Sequence, residues 1–163
     1  MEIRNATKND IEKICTVFDA ARKYMRLNGN MHQWKNGYPN TNIILEDIEK
    51  SICKVCIEKN DIIGVFTLFD GPDPCYMEIY DGKWLNDEPY GVIHRIAVIS
   101  NRKGVASQCI AYAEERYNNL RIDTHQDNIP MRRFLEKNGF VQCGKVIIDN
   151  GEERIAFQKN IKN

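Results

Sequence analysis

The sequence has no excess of either charge and no long apolar run. Lysine plus arginine number 23 in the 163 residues, and so do aspartate plus glutamate. A near-neutral chain has no strong electrostatic attraction to a polyanionic backbone, which argues against a broad nucleic-acid-binding surface. No apolar stretch approaches the roughly 18 residues that a membrane-spanning helix needs. Residues 1–5 lack the basic and then apolar layout of a signal peptide, so we expect a cytoplasmic protein.

The six cysteines have no pattern typical of a metal site. They stand at positions 15, 53, 56, 75, 109 and 143. Cys53 and Cys56 form a CxxC, but no second pair or nearby histidine cluster completes a zinc site, and we predict no metal. The alternating run around this pair predicts a strand whose two sulfurs point to opposite faces. We therefore expect buried free thiols in a reducing compartment.

The order of predicted elements indicates one α/β domain over residues 1–163. Apolar spacing predicts the order βααβββ and then βαβαββ, with one strand over 75–80, and there is no repeat, linker or low-complexity tract. The economical arrangement is a single mixed, mostly antiparallel twisted sheet with helices on both faces. The unit from 92 to 124 should form a parallel strand–helix–strand crossover at the centre of that sheet.

A glycine turn between a strand and a helix is the strongest local signal. The strand is predicted over 92–99, and the helix begins at Val105. The first amides of a helix have no intrahelical partner and favour an anion, and Gly104 permits close approach of a ligand. The turn is therefore a candidate phosphate site, although an ordinary connection with solvated Arg102 and Lys103 fits the local sequence equally well. The spacing matches neither GxxxxGK[ST] nor GxGxxG, which argues against the standard nucleotide and dinucleotide sites.

A second helix near the carboxyl end has clear start and stop signals. Asn128 can cap it, and Pro130 falls in the first turn, where proline is tolerated. Apolar residues Met131, Phe134 and Leu135 would face inward, and residues 138–139, Asn-Gly, would end the helix.

Together these two segments resemble the GNAT superfamily of acyl-CoA-dependent N-acetyltransferases. Residues 94–106 are similar to its acetyl-CoA motif, written [QR]xxGx[GA], and residues 127–140 to its second cofactor-side helix, which commonly ends in Gly-Phe. The similarity covers essentially the whole chain. The resemblance implies the acyl-CoA N-acyltransferase fold and an enzyme that takes acetyl-CoA as co-substrate.

The resemblance also implies where the cofactor lies. The amides of 102–106 would hold the pyrophosphate, and the pantetheine arm would run beside strand 92–99 like an added strand. Asn128 resembles the family's side-chain contact to that arm. The implied cofactor-binding residues are Ile96, Ala97, Val98, Asn101, Arg102, Lys103, Gly104, Val105, Ala106, Asn128 and Phe134. Arg132 and Arg133 could lie near the nucleotide phosphates, but a solvated helix face is the favoured interpretation.

Two positions depart from the family pattern. Asn101 stands where the family mostly has Gln or Arg, so one side-chain contact to the pyrophosphate is in doubt. Leu135 falls where many members carry the tyrosine that protonates the departing thiolate, so that role cannot be transferred. A thiol with a pKa of about 8.5 gives a thiolate that leaves readily near neutral pH. The reaction can therefore proceed without a dedicated acid.

Attack of an amine on a thioester needs a base and a polarised carbonyl. We assign the polarising N–H to the main chain of Val98 and the base to His94, acting through a water. His94 is predicted to alternate with Ile96 and Val98 on one strand face, and it resembles a strand histidine of the serotonin N-acetyltransferase branch. A hydrogen-bonded structural histidine is an equally weighted alternative. His125 is expected to act at most indirectly, and the third histidine, at position 32, to lie on the surface.

The rival chemistries are weaker. A cysteine nucleophile at Cys109 or Cys143 is disfavoured because a thiol within a buried helix stripe is usually inert. Paired-carboxylate hydrolysis is also disfavoured, because the sequence has no further residues that would position two carboxylates.

The acceptor side could be lined by four aromatic residues, Trp34, Tyr38, Tyr80 and Trp84. The ammonium group of the acceptor could be bound by Glu78, Asp81 or Asp123.

The sequence therefore predicts an acetyl-CoA-dependent N-acetyltransferase for a primary amine of a small molecule or peptide. The alternatives are a CoA-binding sensor without turnover and a structural domain. Neither a nucleic-acid nor a membrane partner is expected, and both a monomer and a homodimer remain open.

Overall fold

The computed structural model describes residues 1–99 and 102–161, which contain seven strands, four α-helices and two short 3-10 turns. In chain order the elements are β1 Glu2–Asn5, α1 Ile11–Leu27, α2 Thr41–Glu49, β2 Cys53–Glu58, β3 Asp61–Asp70, β4 Gly91–Val98, α3 Val105–Glu114, β5 Asn119–Thr124, α4 Ile129–Lys137, β6 Val141–Ile147 and β7 Glu153–Asn160. None of the helices in these residues is both long and apolar enough to cross a membrane.

The seven strands form one mixed sheet in the order β1-β2-β3-β4-β5-β7-β6. Only the β4–β5 pair is parallel among the described strands, and the other neighbours are antiparallel. The α3 helix connects the two parallel strands, because such a pair needs a crossover connection. The predicted mixed, mostly antiparallel sheet with a central parallel crossover is confirmed.

Two apolar clusters lie on opposite faces of the sheet. One contains residues of α3 and α4, and the other contains residues of α1 and α2. Cys56 belongs to the first cluster and Cys53 to the second, so the two sulfurs of the CxxC do point to opposite faces. That separation follows from the two-residue period of a strand and rules out a shared metal site for this pair.

The predicted strand over 75–80 is wrong. Pro74–Tyr76 form a 3-10 turn instead, and only Tyr80 makes an isolated bridge, to Lys145. The turn begins at Asp73, whose carboxylate accepts a hydrogen bond from the Cys75 N–H at 2.9 Å. An aspartate that precedes a proline favours such a turn, because the side chain satisfies a free amide and proline fits the first turn.

Residues 71–90 form an irregular segment that packs over the sheet beside β4 and β5. Tyr76 of this segment is fully buried in a third apolar cluster with Val92. The guanidinium of Arg121 on β5 lies between the rings of Trp84 and Tyr90, at 4.1 and 4.0 Å from their centroids. Cation–π contacts of this kind fix the segment to the sheet.

The centre of the sheet opens where β4 and β5 diverge. Within the described residues, these strands pair only at Gly91 with Leu120 and at Val92 with Arg121. Beyond Val92, one edge of β4 therefore has no neighbouring strand. On the other side β4 stays paired with β3 as far as Val98.

Candidate active site

The amino end of α3 has the geometry of an anion site. Gly104 precedes the helix with φ +84°, a left-handed conformation that favours glycine. A Cβ placed on Gly104 would meet no atom of residues 1–99 and 102–161 within 4 Å, so within this part of the chain the turn is open to a ligand. The described residues provide no side-chain cap for this helix. The first amides of α3, at Val105 and Ala106, thus begin a helix whose positive end faces open space.

The basic residues of the turn differ in their contacts. Arg102 forms an ion pair with Glu58 at the end of β2, whereas Lys103 is exposed. The hydrogen bond from Arg102 lowers the pKa of the Glu58 carboxyl. Asn101, the first residue of the family motif, lies outside the described residues.

The open edge of β4 carries one main-chain donor of particular interest. The Ile99 N–H donates to the Ile63 carbonyl, on the β3 side, at 3.0 Å. Successive residues of a strand direct their N–H groups to opposite sides. The N–H of Val98 is therefore directed to the side from which β5 has diverged. Ile96 and Ala97, which precede it, are buried.

A β-bulge changes the face on which His94 lies. Thr67 of β3 pairs with His94 and Val65 with Ala97, so two residues of β4 face one residue of β3. Arg95 adopts φ +50° at this bulge. The predicted alternation of His94 with Ile96 and Val98 is therefore wrong: the two apolar residues pack in the α3–α4 cluster, and His94 lies on the opposite face.

Arg95 is held in its left-handed conformation by three contacts that the sequence did not suggest. Its Nε and Nη2 donate to the two carboxylate oxygens of Asp47 on α2, at 2.9 and 2.8 Å. Its Nη1 donates to the Tyr38 hydroxyl at 2.9 Å. A positive φ at a residue with a long side chain is strained, and this bidentate ion pair offsets the strain. No local sequence signal separates a bulged arginine from one in a regular strand.

A cavity of about 1050 Å³ opens where β4 and β5 diverge. His94 and Arg95 line it from β4, and Asp123 and Thr124 line it from β5. Of the four aromatic residues predicted for the acceptor side, Trp34 and Tyr38 line the cavity, whereas Tyr80 and Trp84 do not. Of the three candidate ammonium ligands, Asp123 lines it, whereas Glu78 and Asp81 do not.

His94 is placed between two carboxylates. Its Nε2 lies 2.7 Å from Asp73 Oδ2, and its Nδ1 lies 3.8 Å from Asp123 Oδ2. Its ring packs beside the rings of Phe69 and Tyr76, at 5.5 and 5.8 Å between centroids. Burial acts to raise the pKa of Asp73, but the hydrogen bond and charge of His94, together with hydrogen bonds from Cys75, lower that pKa overall. Three segments far apart in the chain therefore meet at one imidazole.

Asn128 and Arg132, both expected on the cofactor side, form side-chain hydrogen bonds within the protein. The Oδ1 of Asn128 accepts from the Met131 N–H at 3.2 Å, which caps α4 as the sequence indicated. Its Nδ2 donates to Gln33 at 3.0 Å, which connects α4 to the loop after α1. Phe134 is partly buried against the core, Arg132 donates to a loop carbonyl at 3.0 Å, and Arg133 is exposed.

The remaining candidates lie away from this chemistry. His32 is exposed, and His125 Nδ1 accepts from the Asp127 N–H at 3.0 Å beside a separate small pocket. Burial and the charge of Arg154 lower the pKa of His125. The hydrogen bond with Cys56 and burial raise the pKa of the Cys109 thiol well above its ordinary value, so this cysteine is a poor nucleophile. Burial also raises the pKa of Cys143.

Comparisons with a family model and with solved structures identify the proteins to which this chain is similar. Residues 15–140 match the model of the acetyltransferase (GNAT) family. An acetyltransferase of the GNAT family from Streptococcus agalactiae is 34% identical, with 99% of this chain and 96% of that chain covered and a TM-score of 0.87. One from Listeria monocytogenes is 20% identical, covers 97% and 93%, and has a TM-score of 0.71.

A GNAT-like decarboxylase, GphF, solved in complex with isobutyryl-CoA, shares the fold at 11% identity. It covers 99% of this chain and 100% of that chain, with a TM-score of 0.71. No curated protein matches the sequence. The match to the family model spans most of the chain, and the streptococcal relative matches it over nearly its whole length. This chain therefore belongs to the GNAT family of acetyltransferases.

Proposed function

We propose that this protein transfers an acetyl group from acetyl-CoA to a primary amine of a small molecule or peptide, by direct attack in a ternary complex. The observation that carries the proposal is the unpaired edge of β4, which connects an open helix amino end at Gly104 to a cavity containing His94. Such an edge can accept an extended arm as an added strand.

The residues present fit the CoA thioester. The amides of 102–106 would hold the pyrophosphate, because a helix amino end favours an anion. Arg102 would exchange Glu58 for phosphate, or hold both, and Lys103 would add mobile charge. The pantetheine arm would run along 96–98, with Asn128 and Phe134 on its far side. Asn101 stays a prediction of the family motif.

The chemistry divides between two groups of β4. The Val98 N–H would donate to the thioester oxygen as negative charge develops there, and thereby lower the barrier to attack. His94 would take the proton from the attacking amine, directly or through a water. Leu135 is fully buried and has no proton to give, so we propose that the thiolate leaves as such and is protonated by solvent.

Two further assignments concern the location of the protein and its use of metal ions. All six cysteines are unpaired, as expected for a reducing compartment, and we propose a cytoplasmic location. The described residues contain no group of three or more metal-ligating side chains placed to hold an ion, and our mechanism uses none. A monomer and a homodimer are both compatible with it.

The test is release of CoA thiol from acetyl-CoA, measured with a panel of small amines, polyamines and peptides with free amino termini. His94→Ala should lower kcat by about 10²- to 10⁴-fold, the usual contribution of a general base, and change KM for acetyl-CoA far less. The matched control is His32→Ala, which removes an exposed imidazole and should leave kcat unchanged.

Unchanged kcat in His94→Ala would remove this histidine from the mechanism. CoA binding without thiol release for any amine would instead favour the sensor, the alternative that the missing tyrosine at Leu135 supports. Absence of CoA binding would leave only a structural domain.

A further inference from the structure

Two buried thiols are in contact on the face of the sheet that α3 covers. Cys56 on β2 and Cys109 on α3 are both fully buried, and their Sγ atoms lie 3.4 Å apart. The proposed mechanism uses neither of them. The two sulfurs need to approach by little more than ~1 Å to reach the length of a disulfide bond, about 2.05 Å.

The two sulfurs differ in their chemistry. The hydrogen bond from Cys109 lowers the pKa of the Cys56 thiol. The same bond and burial raise the pKa of Cys109 well above its ordinary value. Cys56 is therefore the sulfur that becomes a thiolate, and the thiolate is the form that reacts with an oxidant. A thiolate beside a second, resolving thiol is the arrangement typical of redox-sensing cysteines.

The pair lies in a row of residues that crosses the sheet to the cofactor side. Cys56 pairs with Gly64 on β3, and Gly64 pairs with Val98 on β4. Helix α3 packs closely over this row, because a Cβ placed on Gly64 would lie 3.0 Å from Cγ1 of Val105 and 3.3 Å from Sγ of Cys56. Val105 and Cys109 are four residues apart and therefore share one face of the helix. A displacement of α3 at Cys109 is thus transmitted to its first turn.

We propose that Cys56 and Cys109 form a reversible disulfide in the presence of a hydroperoxide, and that this bond displaces the amino end of α3 and weakens CoA binding. Strand β2 is hydrogen-bonded to β1 and β3, and the carboxyl end of α3 is held by an ion pair of Glu114 with Lys159 on β7. The displacement therefore falls at the amino end of the helix. The disulfide itself does not depend on the proposed function, whereas its effect on CoA rests on the pyrophosphate site proposed at that end.

The bond forms in two steps whose atoms and electrons balance. The Cys56 thiolate attacks one oxygen of the hydroperoxide and becomes a sulfenic acid. The O–O bond breaks, and the released alkoxide or hydroxide takes up the proton that Cys56 has lost. The Cys109 sulfur then attacks the Cys56 sulfur, and the displaced hydroxyl leaves as water with the Cys109 proton. The two thiols together lose two electrons, which the hydroperoxide takes up.

Contact between the sulfurs compensates for the low reactivity of Cys109. This thiol is a poor nucleophile toward a dissolved reagent, but its target here is fixed beside it, which makes the second step intramolecular. The reaction is reversed by thiol–disulfide exchange with a dithiol. A transient bond of this kind is compatible with a reducing compartment, where disulfides form mainly in catalysis or redox sensing.

The first test detects the bond directly. The folded protein is treated with hydrogen peroxide, which is neutral and little larger than water, so that it reaches the buried pair through local opening. Remaining thiols are alkylated in urea, and mass spectrometry of proteolytic peptides should find Cys56 joined to Cys109. Cys56→Ala and Cys109→Ala should each abolish this peptide. The matched control is Cys53→Ala, which removes the buried CxxC thiol on the opposite face and should retain it.

The second test measures the consequence for α3. Titration calorimetry should show CoA affinity lowered about 5- to 150-fold after oxidation, the usual range for coupling between two sites, and restored by dithiothreitol. Peroxide should leave the CoA affinity of Cys109→Ala unchanged, because that variant cannot form the bond. The amide resonances of residues 105–106 should shift on oxidation whether or not CoA is present.

The outcomes separate this proposal from the proposed function. Absence of the cross-linked peptide overturns the proposal, and so does a cross-linked protein whose CoA affinity equals that of the reduced protein. If the bond forms and the 105–106 resonances shift, but the reduced protein binds no CoA, the disulfide and the helix displacement stand while the proposed function fails.

Discussion

Leu135 is the residue at which the resemblance and the structure meet most directly. The family pattern places a tyrosine here, and the side chain found is completely buried in the cluster under α3 and α4. A tyrosine at this position would bring a hydroxyl into an apolar cluster. The residue therefore serves packing.

We predict that Leu135→Ala lowers the free energy of unfolding by about 2–5 kcal/mol, because it leaves a cavity in a closely packed core. Leu135→Tyr should also destabilise, by about 1–3 kcal/mol, and should not raise kcat. Urea unfolding and thiol release measure the two effects. The control is Leu27→Ala, which truncates a leucine that is 85% exposed and should change stability little. A faster Leu135→Tyr enzyme would show that the position reaches the thiolate after all.

At the scale of elements, the β4–turn–α3 unit does most of the positioning. The strand presents the Val98 N–H at its open edge, the turn ends at Gly104, and the uncapped first amides of α3 follow directly. The bulge at Arg95 places His94 on one face of the sheet, while the apolar residues Ile96 and Val98 after it pack on the opposite face. One continuous segment thus carries the residues to which we assign both the cofactor and the acceptor roles.

Gly104→Val should weaken CoA binding at least tenfold in titration calorimetry. A branched side chain at φ +84° is strained, and its bulk would occupy the space in front of the helix amides. The matched control is Gly29→Val, because Gly29 has a similar φ of +82° and equally open surroundings but lies after α1. It should cost comparable stability and leave CoA affinity unchanged. Normal CoA affinity in Gly104→Val would exclude the turn as the pyrophosphate site.

The whole molecule is a sheet covered on both faces, and this decides the state of its thiols. Four of the six cysteines are buried, and Cys15 and Cys75 are partly exposed. Burial and the charge of Asp47 raise the pKa of Cys53 to about 12, and the pKa of Cys75 reaches a similar value. Because the thiolate is the reactive form, partial exposure does not make Cys75 reactive.

We predict that a thiol reagent at pH 8 labels one cysteine rapidly in the folded protein, Cys15, and all six in urea. Cys15→Ser should abolish the fast phase, and Cys143→Ser, which removes a buried thiol, should leave it intact. Mass spectrometry of the labelled protein identifies the site. A fast phase that survives in Cys15→Ser would mean that the sheet opens locally at another cysteine.

The sequence alone determined the elements with local signals. Helical and strand periods, the Asn128 cap and the Gly104 turn predicted all eleven strands and α-helices of the described residues, because these depend on residues a few positions apart. The exception was residues 75–80, whose alternation predicted a strand. Capping by Asp73 and burial of Tyr76 instead stabilise a 3-10 turn at Pro74–Tyr76.

Only the tertiary structure decided which side chains meet in the cavity between β4 and β5. Asp73 and His94 are 21 residues apart in the chain, and Asp123 lies on a different strand, so nothing local indicates their meeting. The bulge at Arg95 depends on Asp47, 48 residues earlier. Contacts of this kind are set by the path of the chain, since strand divergence and the packing of 71–90 bring together side chains that no periodic pattern relates.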